Sequence, residues 1–262
     1  MLAASHVSFS YGPGSGPVLD DVTVEVAHRD VVGILGPNGS GKTTLLKLLA
    51  GSLAPTSGRV TLDGRPLHQI PRRDLAKRVA VVPQETHLAF DYTVLEIALM
   101  GRYPWLGAFE IEGPSDLAAA TDALDATGTA RFARRAFPTL SGGEKQRVII
   151  ASALAQLDDR AAPDLERRDV HRLLLLDEPT ASLDLRYQLE IGALVGRLHR
   201  DRDVTILLSS HDLRLIGSVC SSLILLSHGR VLAAGPTREL LTPEVIGELY
   251  DIRADLAAPL LP

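Results

Sequence analysis

The apolar run Val31-Val32-Gly33-Ile34-Leu35 leads directly into Gly36-Pro37-Asn38-Gly39-Ser40-Gly41-Lys42-Thr43, and a helical stretch from Lys42 to Ala50 follows. A short continuous apolar run suits a strand buried on both faces. Gly51 is a plausible stop for the helix. A strand that turns through glycines straight into a helix points to an α/β sheet. The spacing, Gly then four residues then Gly-Lys-Thr, fits the P-loop that holds nucleotide phosphates. Each residue type has a task in that pattern. Gly36, Gly39 and Gly41 let the backbone curl and turn its N–H groups inward. The helix aims its positive dipole end at the same anion. Lys42 places a point charge against the β- and γ-phosphates, and the Thr43 hydroxyl completes a Mg²⁺ shell.

The rest of the chain alternates strands with helices. Val22, Val24 and Val26 alternate with Thr23, Glu25 and Ala27, so the N-terminal part is β-rich. Strands are also predicted at Arg59 to Gly64, ending in a turn, and at Val79 to Val82, closed by Pro83. Composition then shifts. Thr93 to Met100 reads as a helix, with Thr93 and Glu96 at capping-box spacing. Ser115 to Ala126, ended by Gly128, is a second helix, and a third runs from Ser141 to about Gln156. Residues about 85–156 therefore form a mostly helical insertion between strands of one α/β unit spanning 1–262. Further on come a buried strand at Leu173 to Leu176, a helix at Leu185 to Leu198 and a strand at Val204 to Leu208. A hairpin around Ser227-His228-Gly229 and a last helix at Glu239 to Tyr250 follow.

Composition narrows the function. The formal net charge is −5, so no overall basic excess favours nucleic acid. The single cysteine, Cys220, cannot close an internal disulfide, which fits a reducing compartment. The N-terminus shows no signal-peptide pattern, and no apolar run approaches the roughly 18–20 residues that a membrane helix needs. Work at a membrane would need another chain to span it.

Two further motifs carry chemistry. Asp177 and Glu178 close the apolar run of four leucines. A carboxylate at the end of a buried strand can reach the Mg²⁺ sphere, and its neighbour can orient an attacking water. Ser141-Gly142-Gly143-Glu144-Lys145-Gln146 begins a helix that Ser141 can cap, with Glu144 at capping-box spacing and two glycines that permit close backbone approach.

With these three motifs in this order, the chain resembles the ATP-binding subunits of ABC transporters over essentially its whole length. The resemblance implies a P-loop NTPase core, a mixed sheet flanked by helices, with a β-rich N-terminal subdomain and a helical subdomain carrying the signature motif. It implies ATP and Mg²⁺ as cofactors. ATP would be held by Gly36, Pro37, Asn38, Gly39, Ser40, Gly41, Lys42, Thr43 and Thr44, with Tyr11 stacked on adenine. Mg²⁺ would meet Thr43, Gln84 and Asp177. Glu178, His211, Gln84 and Lys42 would carry catalysis. Ser141, Gly142, Gly143, Glu144 and Gln146 would face the γ-phosphate held by a second copy of the chain, and Ser182 and Asp184 would cross the dimer interface. The implied partners are that second copy, membrane permease subunits and a solute-binding protein, with no nucleic acid. The implied place is the cytoplasmic face of the inner membrane.

A finer resemblance runs through Leu99 to Gly107 and through Arg186-Tyr187-Gln188, which look like subunits for ferric siderophore, haem and cobalamin uptake. Tyr103 and Trp105 read equally well as packing and as partner contacts. Asp158 to His171 is longer than the usual pattern and reads as a solvated loop. A split exporter subunit, or a soluble ABC ATPase acting on nucleic acid, stays open as an alternative. The signature motif and His211 argue against a P-loop kinase or GTPase.

Overall fold

A computed structural model describes residues 1–261 apart from Pro13, His87, 161–169 and Ser182. The order is β1 (Leu2–Phe9), β2 (Leu19–Val26), β3 (Val31–Leu35), α1 (Lys42–Leu49), β4 (Ser57–Leu62), β5 (Arg65–Pro66), α2 (Arg72–Ala76) and β6 (Val79–Val82). Three helices follow: α3 (Val94–Met100), α4 (Pro114–Ala126) and α5 (Gly142–Leu157). Strands return with β7 (Leu173–Asp177), α6 (Leu185–Asp201), β8 (Thr205–Ser209), α7 (Leu213–Val219), β9 (Ser222–Ser227) and β10 (Arg230–Pro236). The chain closes with α8 (Thr237–Leu240), α9 (Pro243–Tyr250) and α10 (Ala254–Ala257).

Two sheets organise these elements. The N-terminal one is antiparallel, in the order β2-β1-β4-β5. The main one runs β10-β9-β3-β8-β7-β6. It is parallel from β6 to β9 and antiparallel at the β9–β10 hairpin, which makes it the expected mixed sheet. The period of two divides its side chains between two cores. Leu173 and Leu175 face the N-terminal sheet and α1, whereas Leu174 and Leu176 face the helices from α3 to α7. Val22, Val24 and Val26 are buried as their alternation predicts, with Thr23 and Glu25 exposed.

The caps set several helix boundaries. Thr93 and Glu96 form a complete capping box at the start of α3, and Ser141 and Glu144 do the same at α5. Gly51, at φ 71°, follows the end of α1. The last helix differs from expectation: Glu239 to Tyr250 is not continuous. Pro243 has no N–H to continue a helix from α8, so the chain breaks at Leu241–Thr242 and restarts with Thr242 as the cap of α9. The short helices α2, α7 and α10 were not predicted.

Arg102 ties the helical region together. It is fully buried, pairs with Asp116 at 2.9 Å and donates to the carbonyls of Ala155 and Asp158. Removing one partner of such a pair leaves an uncompensated buried charge, at a cost of about 3–5 kcal/mol. Trp105 packs here too, donating from Nε1 to the Gln156 carbonyl at 2.8 Å, while Tyr103 is exposed. The ends of the longer 158–171 segment are anchored: Asp158 pairs with Arg160, and Asp159 with Arg172. The middle of that segment lies outside the described residues.

Candidate functional site

The turn from β3 into α1 forms one wall of a cleft of about 580 Å³. Asn38, Gly39, Gly41, Lys42, Thr43 and Thr44 line it from the loop, facing Gln84, Glu178, Ala181 and His211. Gly36, Pro37 and Ser40 make the back of the loop. A Cβ on Gly36 would lie 2.0 Å from the Leu226 carbonyl oxygen, so this glycine is required by close packing on β9. Gly41 caps α1 at φ 103°, a conformation that side chains with a Cβ rarely adopt.

Lys42 is almost enclosed, at 6% exposure. Its ammonium donates to the Gly36 and Pro37 carbonyls at 2.9 and 3.1 Å, and stands 3.7 Å from Glu178 Oε1. Burial pulls its pKa below the ordinary lysine range, although Glu178 and Asp177 act in the opposite direction. A buried cation beside a helix N-terminus and a loop of inward N–H groups fits a phosphate. Across the cleft, the Thr43 hydroxyl donates to Asp177 Oδ1 at 3.0 Å. A hydroxyl and a carboxylate oxygen together are the hard donor set that Mg²⁺ takes.

The acidic pair is held by a residue not singled out in the sequence. Ser209, at the end of β8, donates to Asp177 Oδ1 at 2.7 Å and accepts the Glu178 backbone N–H at 2.9 Å. Glu178 itself sits at φ 45°, a strained conformation for a residue with a Cβ. Its carboxylate accepts from His211 Nδ1 at 3.0 Å. With Nδ1 donating, the ring's Nε2 is left for the cleft. The partners of Ser209 lie 31 and 32 residues earlier in the chain, so no local pattern signals this bridge. Tyr250 on α9 is a further residue that no sequence motif points to. Its hydroxyl is buried with no hydrogen-bond partner among the described residues, and burial, with the charge of Glu178 second, pushes its pKa up to about 12.

Tyr11 lies beside the cleft, 61% exposed. Its hydroxyl meets Thr44 Oγ1 at 3.1 Å, and its ring stands edge-on to Phe9. Gln84 is exposed at the rim, just beyond β6.

The Ser141 motif does not line this cleft. Ser141 caps α5: its backbone N–H donates to Glu144 at 2.9 Å and its hydroxyl accepts from Glu144 N at 3.3 Å. That first bond holds the Glu144 carboxyl below the usual carboxylate range. Gly143 is buried against Tyr187, so its missing Cβ makes room for a ring of its own chain. Gly142 is exposed, with Leu183 Cδ2 3.3 Å from where a Cβ would stand, closer than an ordinary van der Waals contact. Gln146 is partly buried, with Nε2 unpartnered among the described residues. Asp184 caps α6, accepting the Tyr187 backbone N–H at 3.1 Å. Ser182 lies outside the described residues.

The pattern of the ABC transporter family matches residues 19–164, more than half of the chain. The hemin import ATP-binding protein of Bordetella pertussis is 41% identical over 250 residues, covering 95% of this chain and 92% of that protein. A solved transporter assigned to the metal-chelate type, in an inward-facing conformation, is similar at 29% identity and a TM-score of 0.79, over 95% of this chain and 88% of the other. The dimeric structure of a bacterial ABC transporter cassette matches at 27% identity and a TM-score of 0.73, over 91% and 99% of the two chains. Fold and cleft together define a P-loop ATPase. The chain belongs to the ABC transporter family, as an ATP-hydrolysing subunit.

Proposed function

We propose that this ATPase powers import of a metal chelate, haem being the leading case, through a separate membrane permease. Two copies would hold two ATP molecules head to tail, each cleft completed by the Ser141 motif of the other copy. One observation carries this reading: the Ser141 helix start lies away from the cleft that gathers Lys42, Glu178 and His211 in the same chain. The likeness to the hemin import protein supports the cargo class, and the dimeric cassette supports the sandwich. Among the described residues no helix is long and apolar enough to cross a membrane. That agrees with a peripheral subunit on the cytoplasmic face of the inner membrane, fed through a permease and a solute-binding protein.

The chemistry follows from the cleft. Glu178, held by His211 and by its backbone bond to Ser209, orients a water in line with the γ-phosphate and takes its proton. The water oxygen bonds to the γ-phosphorus as the bond from that phosphorus to the bridging oxygen breaks, giving ADP and phosphate. Lys42 meets the charge that develops on the phosphate oxygens, and His211 does so with its ring protonated at both nitrogens, Nδ1–H on Glu178 and Nε2–H on the phosphate. Thr43 and Asp177 would hold Mg²⁺, with Gln84 at the rim, and the ion when bound neutralises phosphate charge. Loss of the γ-phosphate removes what bridges the copies, and they part. The helical region of residues 85–156, which begins beside Gln84, would pass that opening to the permease.

Glu178→Gln tests the reading. It should bind ATP, accumulate as a dimer by light scattering and turn over at least about 100-fold more slowly. Ordinary turnover would overturn the assignment. Reconstitution with the co-purifying permease in liposomes, followed by ATP-driven haem uptake, tests the cargo. Purification with nucleic acid instead of a membrane protein would favour the soluble alternative.

A further inference from the structure

The hydroxyl of Ser141 is already engaged inside its own chain. Besides accepting from Glu144 N, it donates to the Tyr187 hydroxyl at 3.0 Å. The Tyr187 ring lies so close on Gly143 that a Cβ there would stand 2.2 Å from its Cδ1. The Tyr187 backbone is held by Asp184, the cap of α6. Its ring is flanked by the guanidinium groups of Arg147 and Arg186, at 6.0 and 5.9 Å, both paired to Glu190. The tyrosine is thus fixed by its ring, its backbone and its flanks, and its hydroxyl points at the serine.

We propose that Tyr187 is a positioning residue through which the Asp184 loop sets the Ser141 hydroxyl for the nucleotide of the second copy. The inference rests on the sandwich reading above. A serine hydroxyl has one proton and two acceptor sites. While that proton lies on the bond to Tyr187, none is offered to a phosphate. A rotation of the two hydroxyls reverses the bond. Tyr187 then donates to Ser141, and the serine proton turns to the γ-phosphate. Both Glu144 N–H and Tyr187 O–H then donate into Ser141 Oγ, and successive hydrogen bonds polarise one another, which strengthens the serine as a donor. Because Tyr187 is held by Asp184, displacing that loop would pull the tyrosine hydroxyl from the serine. Ser141 becomes a strong donor only when the loop is seated.

The test uses the full chain carrying Glu178→Gln and reads the ATP concentration that gives half-maximal dimer. Tyr187→Phe keeps the ring on Gly143 and removes only the hydroxyl. It should raise that concentration about five-fold, the worth of one supporting hydrogen bond. ATP binding to the dilute monomer and the melting temperature should stay as they were. When Ser141→Ala is also present, Tyr187→Phe should cost nothing more. Equal shifts with and without the serine hydroxyl would mean that Tyr187 acts by packing alone, and would overturn the proposal. So would no shift at all. If Glu178→Gln forms no dimer with ATP, the sandwich reading falls and takes this inference with it. Dimers indifferent to Tyr187→Phe overturn only the inference.

Discussion

Lys42 and Glu178 face each other across the cleft with 3.7 Å between Nζ and Oε1. They come from opposite walls, the P-loop helix and the end of β7. The ammonium is buried and spends donors on loop carbonyls, so the protein by itself compensates the charge incompletely. An incoming phosphate supplies the missing anion. The site is therefore built in a state that nucleotide improves.

That relationship gives a pH dependence. The folded chain holds the Lys42 proton less tightly than the unfolded chain does. At neutral pH the charged lysine therefore costs stability, and the cost fades as pH rises through the lowered folded value and then the ordinary one. Phosphate binding runs the other way, since it needs the ammonium. The rise in melting temperature caused by ATP should shrink as pH increases from about 7 towards about 10, starting below the ordinary lysine range. Thermal melts with and without ATP across that range measure it. A constant ATP shift would show that Lys42 keeps its proton throughout.

Ser209 bridges the two acidic residues, so Ser209→Ala should weaken both. Asp177 loses a donor, and the Glu178 backbone N–H loses its acceptor at a strained position. An unsatisfied buried group costs about 1–3 kcal/mol. Turnover should fall about ten-fold or more while ATP still binds. Steady-state kinetics beside equilibrium binding separate the two effects, and unchanged turnover would remove Ser209 from the machinery.

Tyr11 separates stacking from hydrogen bonding. If the ring carries an adenine, Tyr11→Ala should weaken ATP binding by about 1–3 kcal/mol, the usual worth of a base on an aromatic ring. Tyr11→Phe should bind nearly as well, because only the bond to Thr44 is lost. Calorimetry with ATP decides. Comparable losses in both variants would assign the effect to the hydroxyl.

Gly143→Ala should destabilise the chain, because the new methyl would stand 2.2 Å from the Tyr187 ring. Overpacking of this kind costs about 1–3 kcal/mol. Adding Tyr187→Ala should restore part of the loss by making room. Denaturant unfolding of the single and double variants checks both. A fully stable Gly143→Ala would mean that the ring yields freely.

Much of this was legible from residue order. The P-loop, the caps at Thr93 and Ser141 and the strand that ends in Asp177 each depend on neighbours a few residues apart, and each forms where its sequence predicts. The break at Pro243 was visible in principle, since a proline cannot be crossed by a helix as a bonded residue. The Ser209 bridge, the Tyr187 ring on Gly143 and the buried Tyr250 hydroxyl were not legible. Their partners are distant in sequence, and nothing in the local pattern of a serine or a tyrosine names a contact on another element.

The sequence alone determined which residues could grip a phosphate, because a tight glycine turn between strand and helix is a local conformation that few residue types allow. Only the tertiary structure decided which of these residues share a site. The parallel pairing of β3, β8 and β7 brings Lys42, Glu178 and His211 to one end of the sheet, and leaves Ser141 elsewhere, bonded to Tyr187. Strand order is a matter of long-range pairing and core burial, which the hydrophobic pattern of each segment permits but does not specify.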